Sequence, residues 1–558
     1  MNLNWFHRGV VYQIYPKSFN DTTGNGIGDL KGIIEKLDYL VDLNVNIIWI
    51  SPIFKSPNKD NGYDVSDYYA VDEEYGTIKD LEMLLGEAHK RHLRVILDLV
   101  PNHTSTEHKW FKASEKDKSN PFRDYYIWKK PGADGGPPNN WQSFFGGSAW
   151  TFSNKTNEYY LHLYTEYQPD LNWDNPEVRQ QIYEVMNYWL DKGADGFRID
   201  VVTLLSKDQG FNNIEENLGF RKIIEDHYAN GPNIHSYLHE MYEEVMKDRD
   251  AFTMGEGVGV TSDNAHLYVD SKREELNMIY HFDVLENNII DGKYEEVTDF
   301  DLLNLKSIFR KWQRVIDNNG WIVNAFGNHD FARMVSRFGN DKEYHEESAK
   351  MLITLLATQN GTLNIYQGDE IGMTNTTLTS ARQIDDVEAK NFYDENALTK
   401  KYSHQIALDM INHEGRDNAR TPMQWDASKH AGFSDDGTWL PVNQNYTYIN
   451  VADQYDRDSS ILSYYKKILK LRKEHEIFYY ADLVEIDKRN PCVYAYEKKR
   501  ESERIIVFLS FSSKEEKVEY TFLPELDYHV MINNYENIQN NPNEIKLKPY
   551  QSIIVNAC

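Results

Sequence analysis

Short apolar runs alternate with longer amphipathic stretches along the chain up to about residue 480. Eight of these runs are rich in β-branched residues and typical of buried strands. They cover residues 10–15, 45–50, 94–100, 196–202, 252–255, 278–282, 322–326 and 363–366. Because eight parallel strands close a barrel, the pattern predicts a (β/α)8 barrel of the α/β class.

Two of the predicted helices carry recognisable ends. Thr77 is followed three residues later by Asp80, the spacing of a capping box with the shorter acid. Asn175 and Pro176 suit the cap and first position of a second helix, and Gly193 suits its end. Each helix leads directly into a predicted strand, as alternating barrel elements should.

A long connection separates the third predicted strand from the helix at Pro176. It is about seventy residues long and exceeds the length of a simple loop. It is also rich in Trp, Tyr, Asn, Gly and Pro. We therefore predict an inserted subdomain at residues 105–173, over the strand ends where barrel enzymes place their chemistry. The barrel itself then covers residues 1–104 and 174–480.

The pattern changes near residue 491, where alternating apolar and polar positions replace the helical periods. Segments 493–496, 505–509, 517–522 and 553–555 alternate in this way. They predict a separate antiparallel β domain, a β-sandwich, at residues 481–558. We expect this domain to pack on the barrel, because no Gly-Ser linker separates the two.

The charge of the chain narrows the classes of partner. Asp and Glu number 88 against 60 Lys and Arg, a formal net charge of -28. Such a surface repels polyphosphate and anionic lipid, so we predict no nucleic-acid and no membrane partner. The chain has two cysteines, no recognisable signal peptide and no run of 18 apolar residues. These features predict a cytoplasmic protein, which we expect to be a monomer.

Four carboxylates stand at the ends of predicted strands. They are Asp98, Asp200, Glu256 and Asp330. Glycosidic cleavage needs a pair of carboxylates, one as nucleophile and one kept protonated for the leaving oxygen. Arg198 points to the same side of its strand as Asp200 and could hold it ionised. His103 and His329 are neutral donors suited to sugar hydroxyls. Any one of the acids alone could cap a helix, but their joint placement favours catalysis.

Four motifs follow one another on four predicted strands. They are Asp98-Leu-Val-Pro-Asn-His103, Gly196-Phe-Arg-Ile-Asp200, Gly255-Glu256 and Asn328-His-Asp330. With them the chain resembles glycoside hydrolase family 13, the α-amylase family, and within it the oligo-1,6-glucosidase group. The resemblance implies that Asp200 is the nucleophile and Glu256 the general acid and base. It also implies that Asp330 orients sugar hydroxyls and stabilises the transition state.

The resemblance further implies a reaction that retains the anomeric configuration and a defined set of substrate contacts. Retention predicts Asp200 and Glu256 carboxyl groups about 5 Å apart, against ~6.5 Å or more in an inverting enzyme. The implied substrate-binding residues are Asp60, Tyr63, His103, Phe145, Gln168, Arg198, Val201, His329 and Arg416.

Two segments bear on the linkage that is cleaved. Residues 168–172, Gln-Pro-Asp-Leu-Asn, match the marker of the oligo-1,6-glucosidase group, although by themselves they could be a turn into the next helix. Val201 stands where α-1,6 enzymes of the family tend to carry Val, and its branched side chain would narrow the aglycone subsite. Without the resemblance, a core strand valine is the more common interpretation of Val201. The two segments together favour α-1,6 preference.

The segment 21–29 resembles the metal loop of the family. Its ligand positions are Asp21, Thr23, Asn25, Ile27 and Asp29, with the alternate spacing and central glycine of a calcium loop. We predict a structural Ca²⁺, with Mg²⁺ as the alternative, and no organic cofactor. Relatives often carry Asn and Asp where this chain has Thr23 and Asn25, so weaker affinity is expected. A glycine-rich turn without an ion is the other interpretation.

The leading hypothesis is an exo-acting α-glucosidase that removes terminal α-1,6-linked glucose from small oligosaccharides. The same chemistry on trehalose-6-phosphate, sucrose or sucrose isomers is the alternative, as is a sucrose isomerase or transglucosidase. A phosphorylated substrate needs cations at the pocket mouth. The candidates are Lys55, Lys59, Lys207 and Arg333. An inactive binding protein with the same fold is the hypothesis from a different class.

Two stretches depart from the family pattern and should border the aglycone site. Gly257-Val258-Gly259 follows the predicted acid, and Phe331-Ala332-Arg333 follows Asp330. These departures leave the catalytic residues in place and bear on which leaving group is preferred.

Overall fold

The computed structural model describes residues 3–215, 217–287, 289, 294, 300–520, 526–535 and 545–557. Eight parallel strands close a barrel in which each strand pairs with its neighbours in sequence and the last pairs with the first. The strands are β1 (Val10–Ile14), β2 (Ile47–Ile50), β3 (Arg94–Leu99), β4 (Gly196–Ile199), β5 (Phe252–Glu256), β6 (Met278–Tyr280), β7 (Ile322–Asn324) and β8 (Thr362–Tyr366). The predicted barrel is confirmed.

Some strands end earlier than predicted, because buried apolar residues continue beyond the last hydrogen-bonded strand residue. The predicted run 196–202 stops at Ile199, because Val201 turns into the left-handed region with φ +36°. A 3-10 helix, Val202–Leu205, follows at once. Hydrophobicity reports burial and not dihedral angles, so a turn made of buried apolar residues looks like strand in the sequence.

The helices surround the barrel and fill the connections between strands. They are Leu30–Glu35, Leu37–Asp42, Ile78–Lys90, Lys109–Lys116, Pro176–Asp191, Phe220–Ile223, Ile234–Met241, His266–Val269, Leu302–Asp317, Met334–Phe338, His345–Thr358, Val387–Tyr393, His404–Glu414, Asp417–Arg420, Val451–Tyr455 and Ile461–Glu474. Thr77 and Asp80 form the predicted capping box. Asn175 caps the helix that begins at Pro176, also as predicted. Within the described residues, no helix is long and apolar enough to cross a membrane.

The long connection after β3 forms a small aromatic-rich lobe of its own. It contains the helix Lys109–Lys116 and a three-stranded antiparallel sheet. The strands of that sheet are Trp128–Lys129, Glu158–Leu161 and Trp150–Ser153, in that spatial order. Trp141 and Trp150 of the lobe pack in one apolar cluster with Val201 and Leu204 from the turn after β4. The lobe therefore packs against the turn that directly follows Asp200.

A buried lysine joins the lobe to the barrel. Lys207 Nζ donates to the Asn102 side chain at 2.9 Å and to the Leu204 carbonyl at 2.6 Å, and lies 2.9 Å from Asp170 Oδ2. Asp170 belongs to the end of the lobe, where it also forms a β-bridge with His103. Since the Lys207 side chain is only 2% exposed, it is a structural cation that cannot meet a ligand at the surface.

The C-terminal region forms two antiparallel sheets, as predicted. The larger contains β9 (Asp482–Ile486), β10 (Val493–Arg500), β11 (Glu503–Ser510), β13 (Tyr528–Asn533) and β15 (Ser552–Ala557), and the smaller pairs β12 (Glu516–Val518) with β14 (Ile545–Leu547). The predicted segment 517–522 overlaps β12, and its residues 521–522 lie outside the described residues.

Alternating side chains of β10 attach the larger C-terminal sheet to the barrel on one face and to the smaller sheet on the other. Tyr494 and Tyr496 of β10 face the barrel and join its core, whereas Val493 and Ala495 face the smaller sheet. Each face is apolar, so the larger sheet is covered on both sides.

We predict that Lys207→Met destabilises the protein strongly, because it leaves the buried Asp170 carboxylate without its cation. Breaking one side of a buried ion pair costs about 3–5 kcal/mol. Lys55→Met is the matched control, since Lys55 is exposed and lies 4.0 Å from the exposed Glu73. The measurement is the thermal midpoint of each variant. Adding Asp170→Asn to Lys207→Met should recover part of the loss. A midpoint for Lys207→Met equal to that of the control would contradict the structural role.

Candidate active site

One guanidinium gathers three carboxylates at the carboxyl ends of β3, β4 and β5. Asp98 on β3 lies in register with Arg198 on β4. Arg198 Nη1 is 2.9 Å from Asp98 Oδ1 and 2.6 Å from Asp200 Oδ1, and Nη2 is 2.5 Å from Glu256 Oε1. The Arg198 side chain is 2% exposed, so these contacts are shielded from water.

The shared cation leaves the three acids with fewer positive charges than negative ones. Burial raises the pKa of Asp98 to about 6 and also raises the pKa of Asp200 and of Glu256, while Arg198 opposes each shift. Tyr63 Oη and Trp49 Nε1 donate to Asp98 Oδ2 and favour its ionised form. The charge of Glu256 raises the pKa of Asp200 further, so within the cluster these two acids, rather than Asp98, are the groups that burial drives towards the protonated form.

Arg198 holds one oxygen of Asp200 and one oxygen of Glu256, at 2.6 and 2.5 Å, so both acids lie at the same guanidinium. The separation of about 5 Å between the two carboxyls stays a prediction.

Asp330 stands apart from this cluster and is held by two arginines and a histidine. Its Oδ1 lies 3.4 Å from Arg416 Nη1 and 3.2 Å from Arg420 Nη2, and its Oδ2 lies 3.2 Å from His329 Nε2. These three contacts fix the position of the Asp330 carboxyl.

The two histidines of the site are neutral hydrogen-bonding groups. Burial lowers the pKa of His329 to about 3 and that of His103 to about 4. His329 stacks on Tyr63 with ring centroids 5.3 Å apart, and its Nδ1 meets Gln13 Nε2 at 2.7 Å. Gln168 Nε2 bridges His103 Nε2 and Asp60 Oδ2, at 3.2 and 3.0 Å.

A cavity of about 360 Å³ collects the predicted residues. Its walls include Asp60, Tyr63, His103, Phe145, Gln168, Asp200, Val201, Glu256, His329, Asp330 and Arg416. Arg198 lies behind this wall, reaching the cavity only through the carboxylates it holds. The structure thus brings the predicted catalytic and substrate-binding residues to one place.

One end of the cavity is closed by buried charges. Arg416 Nη2 lies 2.5 Å from Asp386 and 3.6 Å from Asp60, and the guanidinium sits 4.8 Å from the centre of the Phe145 ring. Sequence analysis missed Asp386 and Arg420. A signal for Arg420 was present, because it lies four residues after Arg416 in Gly-Arg-Asp-Asn-Ala-Arg. Asp386 had none, since it comes from a separate loop.

The other end is open, half-buried, apolar and acidic. Its lining includes Phe220, Arg221, Val258, Phe282, Asp283, Glu286, Ile289 and Phe331. Gly257 and Phe331 border it, where the departures from the family pattern placed them. Arg221 is engaged by Asp283 at 2.7 Å and by Glu286 at 4.0 Å. Most of this rim was missed, because it comes from loops that carry no periodic pattern.

The cations proposed for a phosphate are not at this mouth. Within the described residues, the cavity lining contains none of Lys55, Lys59, Lys207 and Arg333. Lys207 is enclosed beneath the lobe, and Arg333 is buried with its guanidinium donating to the carbonyls of Gln367, Asn418 and Ala419. Lys59 lies 5.5 Å from the Tyr167 ring centre. That interpretation of Lys207 and Arg333 is wrong, because each cation satisfies buried protein oxygens.

The predicted metal loop is closed by its own carboxylate. Asp21 accepts the N–H groups of Thr23, Gly24 and Gly26 at 2.7–2.9 Å. Asp29 instead caps the helix Leu30–Glu35 through the Gly32 N–H. The curled loop and left-handed Gly26, φ +85°, suit a calcium loop, but its acids already have protein donors. Among the described residues, no group of three or more His, Cys, Asp or Glu converges as a metal site.

Comparison with known proteins gives concordant matches. Residues 13–481 match the Alpha-amylase family, described as "Alpha amylase, catalytic domain". The chain is 46% identical to the oligo-1,6-glucosidase of Bacillus cereus over 561 residues, covering 99% of each chain. Its structure resembles that of trehalose-6-phosphate hydrolase from Bacillus licheniformis, with TM-score 0.92 and 43% identity over 99% of this chain and 100% of that one. It also resembles trehalulose synthase from Pseudomonas mesoacidophila, with TM-score 0.96 and 40% identity over 100% of both chains.

Proposed function

The chain belongs to the α-amylase family of glycoside hydrolases, and on this premise we propose that it is a retaining, exo-acting α-glucosidase. Its substrates are short oligosaccharides that end in an α-1,6-linked glucose. The observation that carries this function is one cavity, closed at one end by Arg416 and Asp60, with Asp200 and Glu256 on its wall and both held by Arg198. The similarity to the Bacillus cereus oligo-1,6-glucosidase supports the linkage.

The geometry supports a two-step reaction. Asp200 attacks the anomeric carbon while Glu256 gives its proton to the glycosidic oxygen, so that the bond to the aglycone breaks as a glucosyl ester forms. Glu256, now ionised, takes a proton from water, and that water releases the glucose. Arg198 contacts both acids throughout and compensates the negative charge that passes between them.

The exo mode follows from the difference between the two ends of the cavity. At the closed end, Asp60, Gln168 and Arg416 are buried and hydrogen-bonded, so they accept one terminal sugar and leave no room beyond it. At the open end, Phe282 and Phe331 lie 5.9 Å apart and offer apolar surface to the aglycone. Because these polar groups are preorganised by their neighbours, they can select sugar hydroxyls without reordering on binding.

The acidic mouth disfavours a phosphorylated aglycone. Asp283 and Glu286 both face the one cation Arg221, so carboxylates outnumber cations among the described residues of this rim. A phosphate at this rim would meet like charge rather than the arginine or lysine cluster that such ligands require. The sucrose-directed and transfer reactions are open to the same catalytic residues but have no better support.

We also propose that loop 21–29 is a weak site for a divalent cation. Asp21, Thr23, Asn25, the Ile27 carbonyl and Asp29 would supply the oxygens. The support is the loop spacing and the left-handed Gly26. A cation there would stabilise the barrel edge and take no part in the chemistry. The monomeric state, the cytoplasmic compartment and the lack of a nucleic-acid partner stay predictions from composition.

The substrate profile is the first prediction. Incubation with isomaltose should release glucose rapidly, with far less from maltose and little from trehalose-6-phosphate, because of the Val201 side chain and the acidic rim. Product chromatography on each sugar, with sucrose and isomaltulose alongside, is the measurement. Faster cleavage of trehalose-6-phosphate than of isomaltose would overturn the assignment of the aglycone, and efficient internal cutting of dextran would overturn the exo mode.

A second prediction concerns the nucleophile and stereochemistry. Asp200→Asn should lower kcat by at least about 10⁴-fold, the scale on which removal of a covalent nucleophile acts. Asp134→Asn, at an exposed loop position of the lobe, is the matched control and should keep full activity. Proton NMR of the first turnovers of the unaltered enzyme should show α-glucose before mutarotation. The β-anomer as first product would exclude the covalent route.

The divalent cation proposed for loop 21–29 gives a third prediction. The protein should stay folded and active in EDTA, since Asp21 is satisfied by N–H groups, and mM Ca²⁺ should raise the thermal midpoint slightly by mass action. Asn25→Asp adds a charged oxygen and should enlarge that rise, with NaCl at matched ionic strength as control. Unfolding in EDTA would show a tight site, and identical midpoints for both variants in Ca²⁺ and NaCl would show none.

A further inference from the structure

A strained residue joins the two catalytic acids. Val201 follows Asp200 directly and has φ +36° and ψ +43°, in the left-handed region. It is the one β-branched residue with positive φ among the described residues. A side chain branched at Cβ rarely takes this conformation, because Cβ then crowds the following carbonyl. Such strain persists where surrounding contacts enforce it, and it concentrates at functional sites.

The strained conformation of Val201 directs its backbone N–H towards Glu256. In this conformation the Val201 N–H points at the other acid and donates to Glu256 Oε2 at 2.8 Å. The peptide unit that leaves the nucleophile thus binds the general acid. Glu256 Oε1 faces Arg198 Nη2 at 2.5 Å, so each oxygen of this carboxyl has its own partner.

Contacts on both sides keep the turn from relaxing. The Asp200 N–H donates to the Leu99 carbonyl of β3 at 2.8 Å. Three residues on, Thr203 Oγ1 donates to the Val258 carbonyl at 2.6 Å, which ties the turn to the loop after Glu256. The Val201 side chain packs in the apolar cluster with Leu204. These contacts on both sides of Val201 hold its backbone in the left-handed conformation.

We propose that Val201 is a positioning residue whose strained backbone N–H, together with Arg198, fixes the orientation of the Glu256 carboxyl. The N–H holds Oε2 and the Arg198 guanidinium holds Oε1, so the carboxyl group is fixed at both of its oxygens. This role belongs to the main chain and is separate from the effect of the valine side chain on the aglycone. It rests on the proposed glycosidase function.

The same hydrogen bond affects the acidity of Glu256. Donation to a carboxylate stabilises its charged form and lowers its pKa, which opposes the effect of burial. Removing the N–H should therefore raise the pKa of the general acid. The other ionisable groups that face Glu256 are Asp98, Tyr164, Arg198, Asp200, Tyr280 and Asp330. They are unchanged when only the Val201 amide is altered.

The decisive experiment replaces the Val201 amide by an ester. Nonsense suppression with the α-hydroxy analogue of valine removes the N–H and keeps the side chain, and valine delivered by the same suppressor is the matched control. For a p-nitrophenyl α-glucoside, the alkaline limb of kcat/KM against pH should move up by about one unit, and kcat should fall about tenfold. An active ester protein whose alkaline limb coincides with that of the control would overturn the proposal.

A second comparison tests the strain itself without relying on the ester. At an ordinary backbone position alanine is more stabilising than glycine, but at a positive φ the order reverses. Val201→Gly should therefore have a higher thermal midpoint than Val201→Ala. A higher midpoint for Val201→Ala would overturn the strained geometry. Failure of the unaltered protein to cleave any glucoside would instead refute the proposed function.

Discussion

The buried guanidinium of Arg198 is the interaction on which the site depends. Removing a cation and three carboxylates from water costs several kcal/mol for each ion, and their mutual contacts must offset that cost. The barrel provides the geometry, because β3, β4 and β5 are neighbours and their carboxyl ends bring Asp98, Asp200 and Glu256 around one side chain. Burial with one cation for three acids also raises the pKa of each acid, which favours the protonated carboxyl that acid catalysis at a glycosidic bond requires.

Buried cations also attach the segments that surround the barrel. Lys207 joins the lobe to the turn after β4 through Asp170, and Arg416 joins the loop of Asp386 to Asp60. Each of these cations is enclosed and meets several oxygens at once. Removal of one partner would leave a buried charge unpaired, so such contacts hold geometry more firmly than exposed ion pairs do. The lobe and the closing loop are thereby held over the strand ends without a disulfide.

The two ends of the cavity have different physical character. At the closed end Asp60, Gln168 and Arg416 are buried and held by neighbouring side chains, which suits recognition of one sugar. At the open end the buried Phe331 and the half-buried Phe282, Asp283 and Glu286 lie together on loops. Proteins with this fold that are named for trehalose-6-phosphate and for trehalulose align with the whole chain. That is expected if the chemistry resides in the closed end and the choice of leaving group in the open one.

The sequence by itself determined the eight strands, the lobe after β3, the C-terminal sheets and the four strand-end acids. Apolar periodicity and short motifs are local, so a single segment reports them. Only the tertiary structure decided the rest. It assigned Lys207 and Arg333 to buried oxygens, brought Asp386 and Arg420 to the closed end, and turned Val201 out of its predicted strand. The physical reason is that a side chain's partner and a residue's φ depend on atoms far away in sequence. No local pattern encodes them.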